Sequence, residues 1–245
     1  MKSIKVLDVT LRDGGCVNNF DFGIAYMNKI LTALEKSGVE YIELGYIDEK
    51  NGSEKDRTQY CNEVVISEHF LKSKKSGIKY VAMVDYGKFD LNKLQARTDT
   101  SIDGIRMAFH KKNWKEVIEL GRIVINKGYE FFIQPMLTMR YSDKELIELI
   151  EVVNKELPDA AGFYIVDSFG EMRGNDVVRL MHLVDNNLIK SIPLGFHSHN
   201  NLQLSYSNAM QLLEFPTDRE MFLDASVMGM GKGAGNLNTE ILLEH

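Results

Sequence analysis

A chain of 245 residues with 44% hydrophobic and 26% charged side chains has the composition of an ordinary globular protein, and its length suits one large domain. The 29 Lys and Arg residues are outnumbered by 35 Asp and Glu residues, so the formal charge of −6 excludes a typical nucleic-acid or membrane-surface binder. No apolar run reaches the ~20 residues of a spanning helix, and the N-terminus lacks a signal-peptide layout. Cys16 and Cys61 are too few for a disulfide framework. We therefore expect a cytoplasmic protein with reduced thiols that acts on a small molecule.

Short apolar runs rich in β-branched residues alternate with longer stretches of helical spacing, which is typical of a parallel sheet covered by helices. The predicted strands are residues 4–10, 41–44, 79–84, 104–108, 129–135, 162–166, 193–196 and 221–225. The predicted helices are residues 23–36, 59–74, 91–96, 114–126, 142–155, 176–185 and 202–213. Gly38 suits a left-handed helix end, and Ser142 with Glu145 forms a capping-box pattern. An eighth helix opens near Thr239.

This count predicts an α/β protein, a (β/α)8 TIM barrel over residues 1–242, with its eighth helix truncated. Residues 243–245 look like the start of a cloning scar, so we expect the natural protein to continue beyond Leu242. An open doubly wound sheet is the alternative. It would need a glycine-rich turn after the first strand, and Gly14 and Gly15 do not have the GxGxxG spacing.

Several polar side chains fall at the carboxyl ends of the predicted strands, where barrels of this type carry their reactive groups. His197 and His199 are two residues apart, so both point to one face of an extended strand. With Asp13 from the end of the first strand, they could bind one divalent metal and leave positions open for substrate. The alternatives are polar residues at a barrel rim, or the ligand set of an iron oxygenase, a class that usually has an all-β scaffold.

Two further features suit an anionic ligand. The guanidinium of Arg12 can grip a carboxylate or an enolate oxygen, or it can form a salt bridge within the barrel mouth. The segment 229–236 holds four glycines, which allows close backbone approach to a ligand or simply makes a flexible loop. Other strand-end candidates are Glu43, Arg106, His110 and Ser168.

Three motifs resemble the metal-dependent aldolases and lyases, a family that includes 4-hydroxy-2-oxovalerate aldolase, hydroxymethylglutaryl-CoA lyase, and the isopropylmalate and homocitrate synthases. They are DVTLRDGG (residues 8–15), GFHSHNNLQLSYSNA (195–209) and DASVMGMGKGAGN (224–236), with weaker similarity at 42–44, 105–110 and 166–170. The spacing is most similar to the oxovalerate aldolases, which cleave 4-hydroxy-2-oxo acids through a pyruvate enolate.

The resemblance implies a role for each matching residue. Asp13, His197 and His199 would bind Mn²⁺ or Mg²⁺, with Zn²⁺ as an alternative, and Asn236 would be a further ligand or support the ligands. Arg12 would stabilise the enolate, and Ser168 would bind the substrate's carboxylate or carbonyl. The remaining substrate-binding candidates are Glu43, Arg106, Gly231 and Gly233. An aldehyde dehydrogenase is a candidate partner, and a homo-oligomer is a candidate assembly.

One position departs from the family pattern. The aldolases place a histidine base three residues after the metal aspartate, where this chain has Cys16. A thiol with a pKa near ~8.5 accepts a proton poorly at neutral pH, which leaves His110 or a metal-bound water as the alternative base. Other functions also stay open: a Claisen-type acyl-CoA enzyme of the same family, or a non-catalytic barrel that retains the metal within a longer protein.

Overall fold

The computed structural model describes residues 3–52 and 54–244, and its centre is a parallel β-barrel. The strands are β1 (Ile4–Asp8), β2 (Tyr41–Ile47), β3 (Gln59–Tyr60), β4 (Lys79–Asp85), β5 (Gly104–Phe109), β6 (Glu130–Pro135), β7 (Gly162–Asp167), β8 (Leu194–Ser198) and β9 (Met221–Ala225). β1 pairs in parallel with both β2 and β9, so all strands except β3 close into one ring. The two-residue β3 adds to the outer part of β2. The predicted (β/α)8 TIM barrel is confirmed.

Within the described residues, seven helices surround this ring. They are α1 (Ile24–Ser37), α2 (Glu63–Phe70), α3 (Trp114–Asn126), α4 (Asp143–Glu156), α5 (Gly174–Asn187), α6 (Ser205–Glu214) and α7 (Thr239–Leu243). Ser142 and Glu145 form the expected capping box at α4, and Gly38 ends α1 with a φ of 97°. None of the helices described has the length and apolarity to cross a bilayer. The expected remnant at 243–245 stays a prediction, and His245 lies outside the described residues.

Two predicted helices differ from the observed structure. Residues 91–96 form only one 3-10 turn, Leu91–Lys93. Lys127 explains the interruption, because its Nζ donates hydrogen bonds to the carbonyls of Leu91, Asn92 and Leu94. The predicted helix 59–74 is wrong at both ends, because residues Gln59–Tyr60 extend the sheet and α2 ends at Phe70.

The lower half of the barrel interior is filled by aromatic rings. Tyr41 and Phe222 meet edge to face with centroids 5.0 Å apart, and Phe132 meets Phe222 in the same way at 5.5 Å. Tyr164 completes this layer, and its ring occupies the space in which a side chain at position 195 would lie. Because this layer closes the barrel from below, a ligand can enter only from the carboxyl ends of the strands.

We expect Gly195→Ala to destabilise the fold by about 1 to 3 kcal/mol, because overpacking forces neighbouring side chains to move. A Cβ at this position would lie 2.4 Å from the Tyr164 ring. Urea denaturation measures the change. Gly174→Ala is the matched control, since the nearest atom to a Cβ there is 3.9 Å away. Equal stability of the two variants would contradict this account of the packing.

Candidate metal centre and cleft

Asp13, His197 and His199 converge at the barrel mouth, as the sequence predicted. One ligand atom from each lies within 4.8 Å of the others, a spacing that allows them to share a metal ion. Asp13 Oδ2 is 4.0 Å from His197 Nε2 and 3.8 Å from His199 Nδ1. Two nitrogen ligands and one carboxylate form the incomplete set that is typical of a catalytic rather than a structural centre.

A tight turn after β1 places Asp13 in the mouth. The backbone amides of Arg12 and Asp13 both donate to the carbonyl of Val9, which folds the chain back over the strand end. Asp8 fixes the start of this turn, because one carboxylate oxygen accepts from the amide of Thr10 and the other from the hydroxyl of Thr239. The position of the turn therefore depends on α7 as well as on β1.

His197 is oriented by a second carboxylate. Its Nδ1 lies 2.8 Å from Asp224 Oδ2, so its Nε2 faces Asp13. Asp224 is on β9, two residues after the inward-facing Phe222, and so points into the same interior. A carboxylate on the far nitrogen of a ligating histidine fixes the ring and raises its basicity.

The protonation states also suit metal binding. Burial lowers the pKa of His199 to about 4, assisted by His197 and opposed by Asp13, so this imidazole is neutral at pH 7. Burial alone would raise the pKa of Asp13, but Arg12 and the two histidines hold it at about 2. A neutral imidazole and an ionised carboxylate are the forms that bind a cation.

Unpaired polar atoms in the same cluster test whether a metal fits. His199 Nδ1 and Asn236 Oδ1 are buried without a hydrogen-bond partner within the part of the chain described, and both can donate a lone pair to a cation. Asn236 Nδ2 donates to Asp13 Oδ2 at 2.6 Å, so this residue also positions the carboxylate. The donor set and its unpaired atoms fit a divalent metal.

A chain of buried ion pairs underlies the cluster. Arg12 donates through Nη1 to Asp13 at 2.8 Å and through Nε to Glu43 at 2.6 Å. Its Nη2 is buried and has no hydrogen-bond partner among residues 3–52 and 54–244. Arg106 lies 3.0 Å from Glu43 through Nη1 and donates to Asp224 through Nη2. Arg106 and Glu43 are both fully buried below the mouth, so the geometry favours positioning over direct substrate contact for Arg106.

A cleft of about 670 Å³ opens beside His199. Its wall includes three other predicted residues, His110, Ser168 and Gly233, together with the cationic Lys232. Ser168 Oγ accepts from the amide of Leu137 at 2.9 Å. Gly231 is not part of this wall and instead packs against the amide of Asn236.

Cys16 lies close to the centre but is poorly suited to accept a proton. Partial desolvation raises the pKa of its thiol, although the residue is exposed, and the nearby Asp13 carboxylate raises this pKa further. The thiol is therefore protonated at neutral pH. This agrees with the expectation from the sequence that Cys16 accepts a proton less readily than a histidine would.

Sequence reasoning assigned no role to Asp224, Tyr46 or Asp85. For Asp224 a signal existed, since a charged residue in an apolar strand at an inward position is unusual.

Tyr46 enters the mouth because of a β-bulge in β2. Glu43 pairs with Val81 but Tyr46 pairs with Met83, so β2 has one extra residue. The bulge requires Gly45, which has a φ of 147° and whose Cβ would overlap the Thr58 carbonyl.

Together, the closed barrel and the strand-end cluster define a TIM barrel with a candidate metal centre of the catalytic type. The HMGL-like family model matches residues 3–244, and the chain belongs to this family. A curated relative, 4-hydroxy-2-oxovalerate aldolase from Geobacillus genomosp. 3, is 29% identical over 99% of this chain and 70% of its own length. 4-hydroxy-2-oxovalerate aldolase 2 from Comamonas testosteroni is 28% identical over 99% of this chain and 68% of its own length.

Solved structures share the fold. The N-terminal domain of a candidate aldolase from Bacteroides vulgatus has a TM-score of 0.78 and 30% identity, with 98% of this chain and 78% of that chain covered. The HMG-CoA lyase from Brucella melitensis has a TM-score of 0.70 and 16% identity, with 100% and 90% covered. The family and its curated members support an enzyme of the lyase kind.

We expect Asp224→Asn to weaken Mn²⁺ binding by about 10- to 100-fold, because loss of the carboxylate beside a ligating histidine lowers its basicity. Isothermal titration with Mn²⁺ measures the affinity. Asp103→Asn is the matched control: Asp103 is equally buried, at 2% exposure, and pairs with Lys74 and Arg97 outside the cluster. Equal affinity of both variants would contradict the assigned role of Asp224.

Asp8 gives a pH-dependent prediction. Burial raises its pKa from 3.8 to about 6, so its contribution to stability is complete below about pH 4 and is lost as the pH rises through 6. Relative to Asp8→Asn, the unmutated protein should therefore lose about 2 to 3 kcal/mol of unfolding free energy between pH 4 and 7. Denaturation of both proteins in a chelating buffer measures this, and a difference that is constant with pH would contradict it.

Proposed function

We propose that this protein is a divalent-metal-dependent aldolase that cleaves a 4-hydroxy-2-oxo acid to pyruvate and an aldehyde. The supporting observation is the convergence of three ligand atoms within 4.8 Å, beside an arginine that keeps one buried donor unpaired. The family and the names of its curated relatives support the same reaction class.

Asp13, His197 and His199 would hold the metal, with Asn236 against the carboxylate. When bound, the ion would act as a Lewis acid on the 2-oxo group and offset the charge that develops there. Mn²⁺ and Mg²⁺ are the proposed ions, with Zn²⁺ as the alternative.

Arg12 stabilises the enolate that forms when the carbon–carbon bond breaks. Its Nε and Nη1 are fixed by Glu43 and Asp13, so Nη2 is held in place before the reaction begins. A donor that is already oriented toward developing charge needs no reorganisation, and losing one such group typically costs about 10² to 10³ in rate.

The cleft beside His199 suits the carboxylate end of the substrate. Ser168 supplies a hydroxyl and Lys232 a positive charge on its wall. A small 2-oxo acid is therefore the proposed ligand, and the aldehyde dehydrogenase partner, the homo-oligomer and the cytoplasmic location stay predictions.

Metal removal tests the proposal. We expect exhaustive chelation to abolish cleavage of 4-hydroxy-2-oxo acids and Mn²⁺ or Mg²⁺ to restore it, because the charge on the 2-oxo oxygen is no longer offset. His199→Ala should lose Mn²⁺ affinity and at least about 10²-fold in rate. His182→Ala, an exposed histidine on α5 outside the cluster, serves as the control. Turnover that survives chelation would refute the metal-dependent reaction.

Exchange of the pyruvate methyl protons separates a catalyst from a barrel that only retains the metal. An enolate-forming enzyme should incorporate deuterium from D₂O into pyruvate in a metal-dependent way, which NMR measures. Metal binding without any exchange would favour the non-catalytic module.

A further inference from the structure

Asp85 occupies a position at the barrel mouth to which neither the motifs nor the proposed reaction assign a role. Alternate residues of β4 face the interior, and Met83 is in register with the inward-facing Arg106. Asp85 is the next inward position and the last residue of the strand. Its carboxylate is therefore directed into the mouth rather than toward the outer helices.

Tyr46 holds this carboxylate in place. Its hydroxyl donates to Asp85 Oδ1 at 3.2 Å, and the ring of Tyr46 lies with its centroid 5.8 Å from the Arg12 guanidinium carbon. Phe20 packs edge to face against the same ring, with centroids 5.9 Å apart. The bulge at Gly45 thus brings Tyr46 beside Arg12 and within hydrogen-bond distance of Asp85 on the neighbouring strand.

The surroundings of Asp85 suit a carboxylate that accepts and returns a proton. Burial raises its pKa, while the Tyr46 hydroxyl and the cations Arg12, Lys88 and Lys232 oppose this rise. The result is a carboxylate more basic than an ordinary aspartate, which is the property a general base needs near neutral pH.

The ring order places Asp85 and Ser168 on different sides of the barrel mouth. Counted around the barrel, the strands run β1, β2, β4, β5, β6, β7, β8 and β9, so Asp85 and the Ser168 loop are three strands apart. A substrate with its carboxylate beside Ser168 and its 2-oxo group at the metal cluster points its C4 end toward β2 and β4.

We propose that Asp85 is the general base that takes the proton of the substrate's 4-hydroxyl, with Tyr46 as its positioning residue. This inference rests on the proposed aldolase reaction. The proton moves to Asp85, the C4–O bond becomes a carbonyl, and the C3–C4 bond breaks. The electron pair of that bond forms the enolate of pyruvate, and transfer of the proton from Asp85 to C3 then gives pyruvate and returns Asp85 to its ionised form.

Two reactions of one enzyme preparation test this role. Cleavage of a 4-hydroxy-2-oxo acid needs the hydroxyl proton to be removed, whereas decarboxylation of oxaloacetate forms the same enolate by losing CO₂ and needs no such base. We expect Asp85→Asn to lower kcat for cleavage by about 10²- to 10⁴-fold and decarboxylation by less than about 10-fold. Mn²⁺ and pyruvate affinities, measured by calorimetry, should match those of the unmutated protein.

Two further variants complete the experiment. Tyr46→Phe should lower kcat for cleavage without changing KM, and should spare decarboxylation in the same way. Asp90→Asn makes the same chemical change on the exposed loop after β4 and should affect neither reaction.

Near-normal cleavage by Asp85→Asn, or an equal loss of both reactions, would overturn the assignment of Asp85. Failure of the unmutated protein to catalyse either reaction with metal bound would instead overturn the proposed aldolase function, and with it the need for a base. The two failures are therefore distinguishable.

Discussion

A buried chain of alternating charges joins two of the candidate metal ligands across the barrel mouth, and the geometry of the site depends on it. It passes between carboxylates and guanidiniums in the order Asp13, Arg12, Glu43, Arg106, Asp224 and His197. Buried ion pairs seldom add net stability, because desolvation of each charge offsets the attraction between them. Here the ion pairs fix the positions of the side chains. Each group is held by the next, so Asp13 and His197 face each other before any ligand binds.

The sum of these charges indicates which ligands the site accepts. Three carboxylates and two guanidiniums leave one negative charge, which favours a cation and disfavours an anion in the empty centre. A divalent cation would reverse the sign to one positive charge, and an anionic 2-oxo acid would then be attracted. If the site holds a metal as proposed, this balance favours binding of the metal before the substrate, and the neutral His199 would not need to lose a proton to bind it at pH 7.

The sequence predicts well the residue positions that follow from the repeat of a strand or from the order of strands in a parallel sheet. His197 and His199 share a face because a strand has a period of two, and Asp13 joins them because parallel strands end at one edge. The bulge at Gly45 follows no such rule, since it depends on the Thr58 backbone across the sheet. The prediction of a helix at 91–96 is wrong for a similar reason. Lys127, at the end of α3, donates hydrogen bonds to the carbonyls of Leu91 and Asn92.

Cys16 stands where similar aldolases have a histidine, and this difference is compatible with the proposed reaction. Enolate stabilisation and proton transfer at C4 are assigned to residues on different strands. In the proposed reaction, enolate stabilisation would depend on Arg12 and the candidate ligand cluster, which lie at the ends of β1, β8 and β9. Proton transfer at C4 would depend on a base at the other end of the substrate, and β2 and β4 supply the hydrogen-bonded pair Tyr46 and Asp85 that we propose for it. A substitution that weakens one base can therefore be offset by a carboxylate on a neighbouring strand without disturbing the buried ion pairs.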